Sequence, residues 1–324
     1  MMPLYKCTVQ IKSFLATPLQ SDTIWGHICW GLLFHEGEPS LKQFLKEYKK
    51  GVPLAVSDGF PHGYLPMPLF NPVPPSKDLS LGEIKLTKLL KKTAYLPVEI
   101  YIKNGFSLNA TTVLQEIKSV NRINVVRSSL MHNTINRLSG FTVEEQSPFL
   151  SEIFYLSDYS EDAAKEMGES LPNDRYDIYI RSIYSKERLE ELLRWAFVAG
   201  YGADRSVGKG YLIVENLEQI TDFPEQGNRG MALGNFVFDR ENELSELKAN
   251  VMTKYGKIGE PLNRFTNPFK KPVILFTSGS TFNAESAPDG YVGRLLDSIH
   301  SDPSIMHNAI APVIYFKEEA DETV

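Results

Sequence analysis

A glycine-rich segment, GYGADRSVGKGY, runs from Gly200 to Tyr211 and combines backbone freedom with positive charge. Glycines have no Cβ atom, so consecutive backbone N–H groups can turn toward one concavity and approach a phosphate closely. Arg205 and Lys209 add charge to such a concavity. The segment therefore predicts a phosphate-binding loop. The structural alternative is a flexible turn that carries two solvated basic side chains.

The spacing within this segment argues against nucleotide hydrolysis. A Walker A loop reads G-x-x-x-x-G-K-[ST] and lies between a strand and the helix that it opens. Here five residues separate Gly202 from Gly208, and Lys209 is followed by Gly210. A predicted helix precedes the segment and a predicted strand follows it, and this order also excludes a dinucleotide-binding fingerprint. The remaining interpretation is contact with a sugar-phosphate backbone, as in RNA.

A second basic segment lies between Ile117 and Val143, where no acidic residue occurs. Planar and hydrogen-bonding side chains among basic residues suit unstacked RNA bases and their phosphates. A solvated basic face is the alternative. The candidate RNA-binding residues of this segment are Arg127, His132, Asn133 and Arg137.

The elements that would position both segments are visible as strand and helix patterns. Ser21 and Asp22 are N-cap candidates for a first helix that ends at Gly37, and Ser185 is the N-cap candidate for a second helix. Alternating or β-branched runs predict strands at Tyr5–Phe14, Phe149–Leu156, Arg175–Tyr184 and Tyr211–Glu215. The resulting order, β, α, a long insertion, β, β, α, β, is ferredoxin-like and is shared with RNA recognition motifs.

We therefore predict an α+β fold of tandem ferredoxin-like domains. The first domain spans residues 1–220 and carries an insertion at about 50–148, which is too long for a plain connection. A smaller ferredoxin-like domain spans residues 221–324. Two domains also suit a chain of 324 residues, since single cores stop growing at about 250–300 residues.

The overall charge bears on any RNA-binding role. The chain has 34 Lys and Arg against 40 Asp and Glu, so its formal net charge is −6. Such a field repels a polyanion, and RNA binding would therefore depend on local basic patches.

Composition excludes several other classes. The N-terminus lacks a signal-peptide pattern, and the longest apolar run, Ile28–Phe34, is too short to span a bilayer. We therefore expect a cytoplasmic protein without a membrane partner. Six histidines and two cysteines show no zinc spacing, so we predict no metal and no cofactor.

Five segments in order resemble the RAMP superfamily of CRISPR proteins: SDTIWGHICWGLL, GYLPMPL, HNTINRLSG, GYGADRSVGKG and SGSTF. Within that superfamily the chain resembles the Cas-five group, whose type III-A member caps the 5′ end of the CRISPR RNA (crRNA). The resemblance extends from Tyr5 to about Pro312, and the glycine-rich segment is its most specific part.

The resemblance implies RAMP domains without catalytic activity that bind the crRNA 5′ handle. It also implies contact with the large Cas-ten subunit and with the backbone RAMP subunits of a Csm complex. By position, the residues that would hold the handle are Gly202, Arg205, Ser206, Gly208, Lys209 and Gly210, approached by His132, Asn133 and Arg137, with Ser21 and Asp22 at the turn before the first helix.

Two alternatives remain open at this point. A crRNA-processing endoribonuclease of the same superfamily would use His27 or His132 as its general acid or base. His27, beside Trp25 in the first predicted helix, is otherwise expected to be a packing residue. The equivalent subunit of a type III-B complex would have the same architecture.

Overall fold

The structure is a computed structural model that describes residues 1–70, 88–90, 92–117, 122–136, 138–142, 148–159, 174–238, 244–259 and 267–319. Its α-helices are α1 Ser21–Glu36, α2 Glu38–Glu47, α3 Val98–Lys103, α4 Ala110–Glu116 and α5 Lys186–Phe197. Its strands are β1 Leu4–Ile11, β2 Leu54–Pro61, β3 Tyr64–Pro66, β4 Tyr95–Pro97, β5 Ser107–Leu108, β6 Arg122–His132, β7 Phe149–Tyr159, β8 Arg175–Ser182, β9 Leu212–Ile220, β10 Arg229–Ala232, β11 Val251–Lys254, β12 Val273–Phe276, β13 Thr281–Asn283, β14 Tyr291–Leu296 and β15 His307–Glu318.

A four-stranded antiparallel sheet with the order β2–β8–β1–β9 organises the N-terminal unit. With α1 after β1 and α5 after β8, the chain follows the β-α-β-β-α-β path of a ferredoxin-like fold. The helices cover one face of the sheet, where Val9 and Ile178 from the strands are buried with Ile28 and Leu193 from the helices. The predicted α+β, ferredoxin-like class is confirmed.

The insertion begins and ends at points different from those predicted. The second strand of the sheet is β2, which lies inside the span of about 50–148 that was assigned to the insertion. The predicted strand Phe149–Leu156 instead pairs along its whole length with β6, in a hairpin outside the main sheet. The insertion is therefore the connection from β2 to β8.

The helix signals were partly right. Gly37, with a φ of 86°, ends α1, and the Ser185 hydroxyl accepts the Arg188 N–H at the start of α5. Ser21 and Asp22 are not N-caps, because α1 begins at Ser21 and Gln20 occupies the cap position without a capping hydrogen bond from its side chain. Both residues instead form hydrogen bonds with residues that are distant in the chain.

The other face of the first sheet packs against the C-terminal unit and against the insertion. Leu4 and Tyr179 of the sheet share a buried cluster with Phe316 of β15 and Tyr101 of α3. β1 is thus covered on both faces, rather than on the single face that its alternating pattern predicted.

The C-terminal unit is built on a sheet with the order β13–β10–β15–β14, to which β5 of the insertion adds in parallel beside β15. A separate ribbon pairs β11 with β12. The described residues after Ile220 contain no α-helix, so the helices of a second ferredoxin-like unit are not among them. None of the helices in the described ranges is long and apolar enough to cross a membrane.

A buried ion pair joins the two units at the start of α1. Lys254 Nζ of β11 lies 2.5 Å from Asp22 Oδ1 and also donates to Gln20 Oε1 at 2.8 Å. His307 Nε2 of β15 lies 3.6 Å from the other Asp22 oxygen. Ser21 contributes to the same junction, since its hydroxyl accepts the Asn235 N–H at 3.0 Å.

Removing one member of this pair should weaken the whole fold. Lys254→Met leaves the Asp22 carboxylate buried without its main partner, and we expect the free energy of unfolding in urea to fall by about 3–5 kcal/mol. Lys103→Met, which breaks the exposed pair with Glu116, is the matched control and should cost about 0–1 kcal/mol. Equal losses for the two variants would contradict a role for the pair in joining the units.

Candidate nucleic-acid interface

The segment from Gly200 to Tyr211, called the glycine loop below, connects α5 to β9 and folds back on itself. Gly200, Gly202, Gly208 and Gly210 all have φ between 70° and 89°. Tyr201 N–H donates to Gly210 O at 2.8 Å and so closes the base of the loop. A short 3₁₀ turn, Arg205–Val207, forms the apex. The glycines are required because this backbone region disfavours residues that carry a Cβ atom.

The first half of the loop is held by the N-terminal part of the chain. Gly202 N–H donates to His27 Nε2 of α1 at 3.0 Å, and Ala203 N–H donates to Thr17 Oγ1 at 3.0 Å. A Cβ atom on Gly202 would lie 2.7 Å from Thr17 Cβ. Close packing and hydrogen bonding therefore fix this half of the loop in one position.

The second half of the loop is bonded in the same way. Gly210 N–H donates to Phe14 O at 2.9 Å, and the N–H groups of Gly208 and Lys209 donate to carbonyl groups within the loop. This differs from the prediction, in which the N–H groups of the glycines face a phosphate. Among the described residues, the apex amides of Asp204, Arg205 and Ser206 donate no hydrogen bond. The part of the loop that is open to a ligand is therefore its apex.

Lys209 points into the protein rather than toward solvent. Its side chain is 8% exposed, and Nζ donates to Ser151 Oγ of β7 and to Asp204 Oδ2, the latter at 3.1 Å. Ser151 Oγ also donates to Asp204 Oδ2 at 2.8 Å. These hydrogen bonds hold the pKa of the Asp204 carboxyl below its usual value, Ser151 contributing most. Lys209 thus fastens the β6–β7 hairpin to the glycine loop.

Arg205 is the basic side chain that remains at the apex. It is half-buried and makes no hydrogen bond or ion pair with the described residues. Its charge acts on His27, whose pKa is lowered to about 4, mainly by burial and then by Arg205. His27 is therefore neutral near pH 7, which agrees with the expectation that it is a packing residue.

The β6–β7 hairpin brings His132 to the same place. The His132 ring stacks on Phe149 with centroids 5.5 Å apart, and its electrostatic interaction with Asp204 contributes to the lowered pKa of that carboxyl. Its Nε2 atom is buried and has no hydrogen-bond partner among the described residues. Asn133 follows it and is exposed. Two segments that the sequence singled out separately thus meet at the loop.

Other predicted site residues lie elsewhere. Arg127 pairs with Glu152 at 3.1 Å, on the opposite hairpin face from His132, since neighbouring side chains of a strand alternate in direction. Ser21 and Asp22 are buried at the junction of the two units, which is not where contact with RNA would place them. Ser206 and Gly208 are exposed near the apex, and Arg137 lies outside the described residues.

Three residues of the site escaped the sequence analysis. Thr17, Ser151 and Asp204 position the loop, but each acts through a partner distant in the chain, such as Ser151 with Lys209, 58 residues apart. A single polar side chain, such as Ser151 between Leu150 and Glu152, gives no signal of such a contact.

Solved structures with the same fold were found over nearly the whole chain. A chain of the Csm1–Csm4 cassette in complex with pppApA has a TM-score of 0.58 at 15% identity, covering 99% of this chain and 100% of that one. A chain of the Csm1–Csm4 cassette in complex with cA4 has a TM-score of 0.56 at 14% identity, covering 98% and 100%.

A chain of the Csm3–Csm4 subcomplex of the type III-A CRISPR-Cas interference complex has a TM-score of 0.51 at 14% identity, covering 97% and 99%. Csm4 is the component that these complexes share. At these identities the similarity establishes the fold alone, and the chain has the fold of the chains matched in these Csm4-containing complexes. No protein-family model matches the chain. No curated protein matches it by sequence.

Two glycines of the loop provide a matched test of its packing. A Cβ atom on Gly210 would lie 2.0 Å from Tyr201 O, whereas one on Gly208 would meet nothing within 4 Å. Both have positive φ, so each alanine carries a conformational cost of about 1 kcal/mol. We expect Gly210→Ala to lower the free energy of unfolding well beyond Gly208→Ala in urea titrations. Equal effects would mean that the closed base of the loop is not maintained in solution.

Proposed function

We propose that this chain is the subunit of a type III-A CRISPR (Csm) effector complex that binds and caps the 5′ handle of the crRNA in antiviral defence. In that role it links the large Cas-ten subunit to the backbone RAMP subunits and catalyses no reaction itself. The observation that carries the proposal is the meeting of the glycine loop and the β6–β7 hairpin on a fold found in Csm complexes.

The chemistry of the apex supports contact with a phosphate backbone. Arg205 offers a guanidinium that pairs with no described residue, and guanidinium groups match phosphate oxygens in two-point hydrogen bonds. The amides of Asp204, Arg205 and Ser206 lie at the same turn and donate no hydrogen bond to the described residues. A phosphate placed there would receive charge and hydrogen bonds without any reacting group being needed.

The hairpin adds a planar group beside that apex. Phe149, on which His132 stacks, is 49% exposed. The Asn133 amide directly follows His132 in the chain. Aromatic rings and amides are the groups that hold unstacked bases in single-stranded RNA. The site therefore fits a short single-stranded segment better than a duplex.

Partner proteins follow from the same proposal. The similar structures come from complexes with Csm1 and with Csm3, and we propose that this chain assembles with subunits of those kinds. A chain with a net charge of −6 would hold RNA weakly alone, so partners that grip the same RNA would supply much of the affinity.

Loss of the Arg205 guanidinium should weaken guide-RNA retention. In the assembled complex, Arg205→Ala removes one phosphate contact, and we expect several-fold weaker retention with a salt slope shallower by about 1. Arg194→Ala is the matched control, since Arg194 is an exposed arginine that pairs with Glu190 on α5. Retention and slope equal to the wild type would contradict the phosphate contact.

The endoribonuclease alternative keeps one observation in its favour. His132 Nε2 has no partner among the described residues, so it would be free to act as a general acid or base if substrate binding exposed it. We expect the purified chain to leave repeat RNA intact in the absence of metal ions, on a denaturing gel. Cleavage by the wild type that is lost in His132→Ala would overturn the noncatalytic assignment.

A further inference from the structure

We propose that His27 is a positioning residue, whose neutral Nε2 atom holds the glycine loop in the conformation that presents Arg205 to RNA. The proposal rests on the function proposed above. It assigns a role to a part-buried histidine that has no contact with the RNA itself.

The geometry makes His27 a hydrogen-bond acceptor. Its Nε2 atom accepts the Gly202 N–H at 3.0 Å, so this nitrogen carries no proton. The ring also packs against the buried Tyr201 ring, with centroids 5.0 Å apart. Tyr201 is itself held in place, because its hydroxyl accepts the Gln20 N–H and donates to Pro18 O. The imidazole therefore has little freedom to turn away.

The same bond argues against acid–base chemistry at His27. A general base must present a free nitrogen to the proton that it removes. Nε2 is occupied by a backbone amide, and the ring packs against the buried Tyr201.

Arg205 lies between two anchors. Gly202, three residues before it, is bonded to His27, and Lys209, four residues after it, is bonded to Ser151. Backbone on either side of the apex is therefore fixed to a different element, α1 on one side and β7 on the other. Without the His27 acceptor, the part-buried Gly202 N–H loses its hydrogen-bond partner, and the first half of the loop loses this bond to α1.

The test compares His27→Ala with His27→Gln, because the glutamine Oε1 atom can occupy the place of Nε2 and accept the same N–H group. Amide hydrogen exchange of residues 200–211 is measured on the purified chain without RNA, and guide-RNA retention is measured in the assembled complex. We expect His27→Ala to speed exchange at Gly202 by about tenfold and to lower retention several-fold. His27→Gln should restore most of both.

Controls separate this role from general destabilisation and from failure of the proposed function. His35→Ala removes a histidine of the same helix that stacks on Trp195, and it should leave exchange in the loop unchanged. Thr17→Val removes the acceptor of the Ala203 amide without touching His27, so it should raise exchange in the loop even if His27→Ala does not fold.

Unchanged exchange in His27→Ala, or in Thr17→Val, would overturn the anchoring of the loop. Restored exchange without restored retention in His27→Gln would overturn the positioning role, since the imidazole itself would then be needed. A wild-type complex that holds no guide RNA would instead overturn the proposed function, and the exchange data would still decide whether His27 anchors the loop.

Discussion

The buried ammonium of Lys209 is the contact on which the arrangement of the site depends. It joins Asp204 of the glycine loop to Ser151 of the β6–β7 hairpin, which lies outside the main sheet. A buried ammonium needs hydrogen-bond partners to replace its water, so losing either Ser151 or Asp204 as a partner would destabilise the folded state. The hairpin and the loop are therefore placed relative to each other by this side chain together with the direct hydrogen bond from Ser151 to Asp204, and His132 reaches the apex as a consequence.

Two basic residues of the same glycine-rich segment therefore have different structural roles. Arg205 and Lys209 look equivalent in the sequence, yet one guanidinium is left at the apex while the ammonium is used inside the protein. The loop is consequently a rigid support for one charged side chain and a few backbone amides, rather than an open cradle. Rigidity suits recognition, since a group already held in place loses less conformational entropy on binding.

Local sequence patterns predicted those features of the fold that depend on residues close together in the chain. The end of α1 at Gly37, the Ser185 cap and the position of the glycine loop between a helix and a strand all follow from short-range rules. β2 was missed because Ser57, Asp58 and Gly59 interrupt its apolar run at an irregularity in its pairing with β8. Ser21 and Asp22 were assigned to RNA because nothing local distinguishes a surface cap from a residue that pairs with Lys254, 232 positions away.

The insertion leaves and rejoins the main sheet at adjacent points, because Pro61 at the end of β2 faces Tyr176 at the start of β8 and His62 N–H donates to Arg175 O. In topological terms, it occupies the position of a hairpin turn between two paired strands. The entropy of closing such a loop grows only slowly with its length. Its length therefore costs the main sheet little, while α3 and β5 tie the region to the sheet face and to β15. The ferredoxin-like unit thus acts as a frame for the attachment that carries the β6–β7 hairpin.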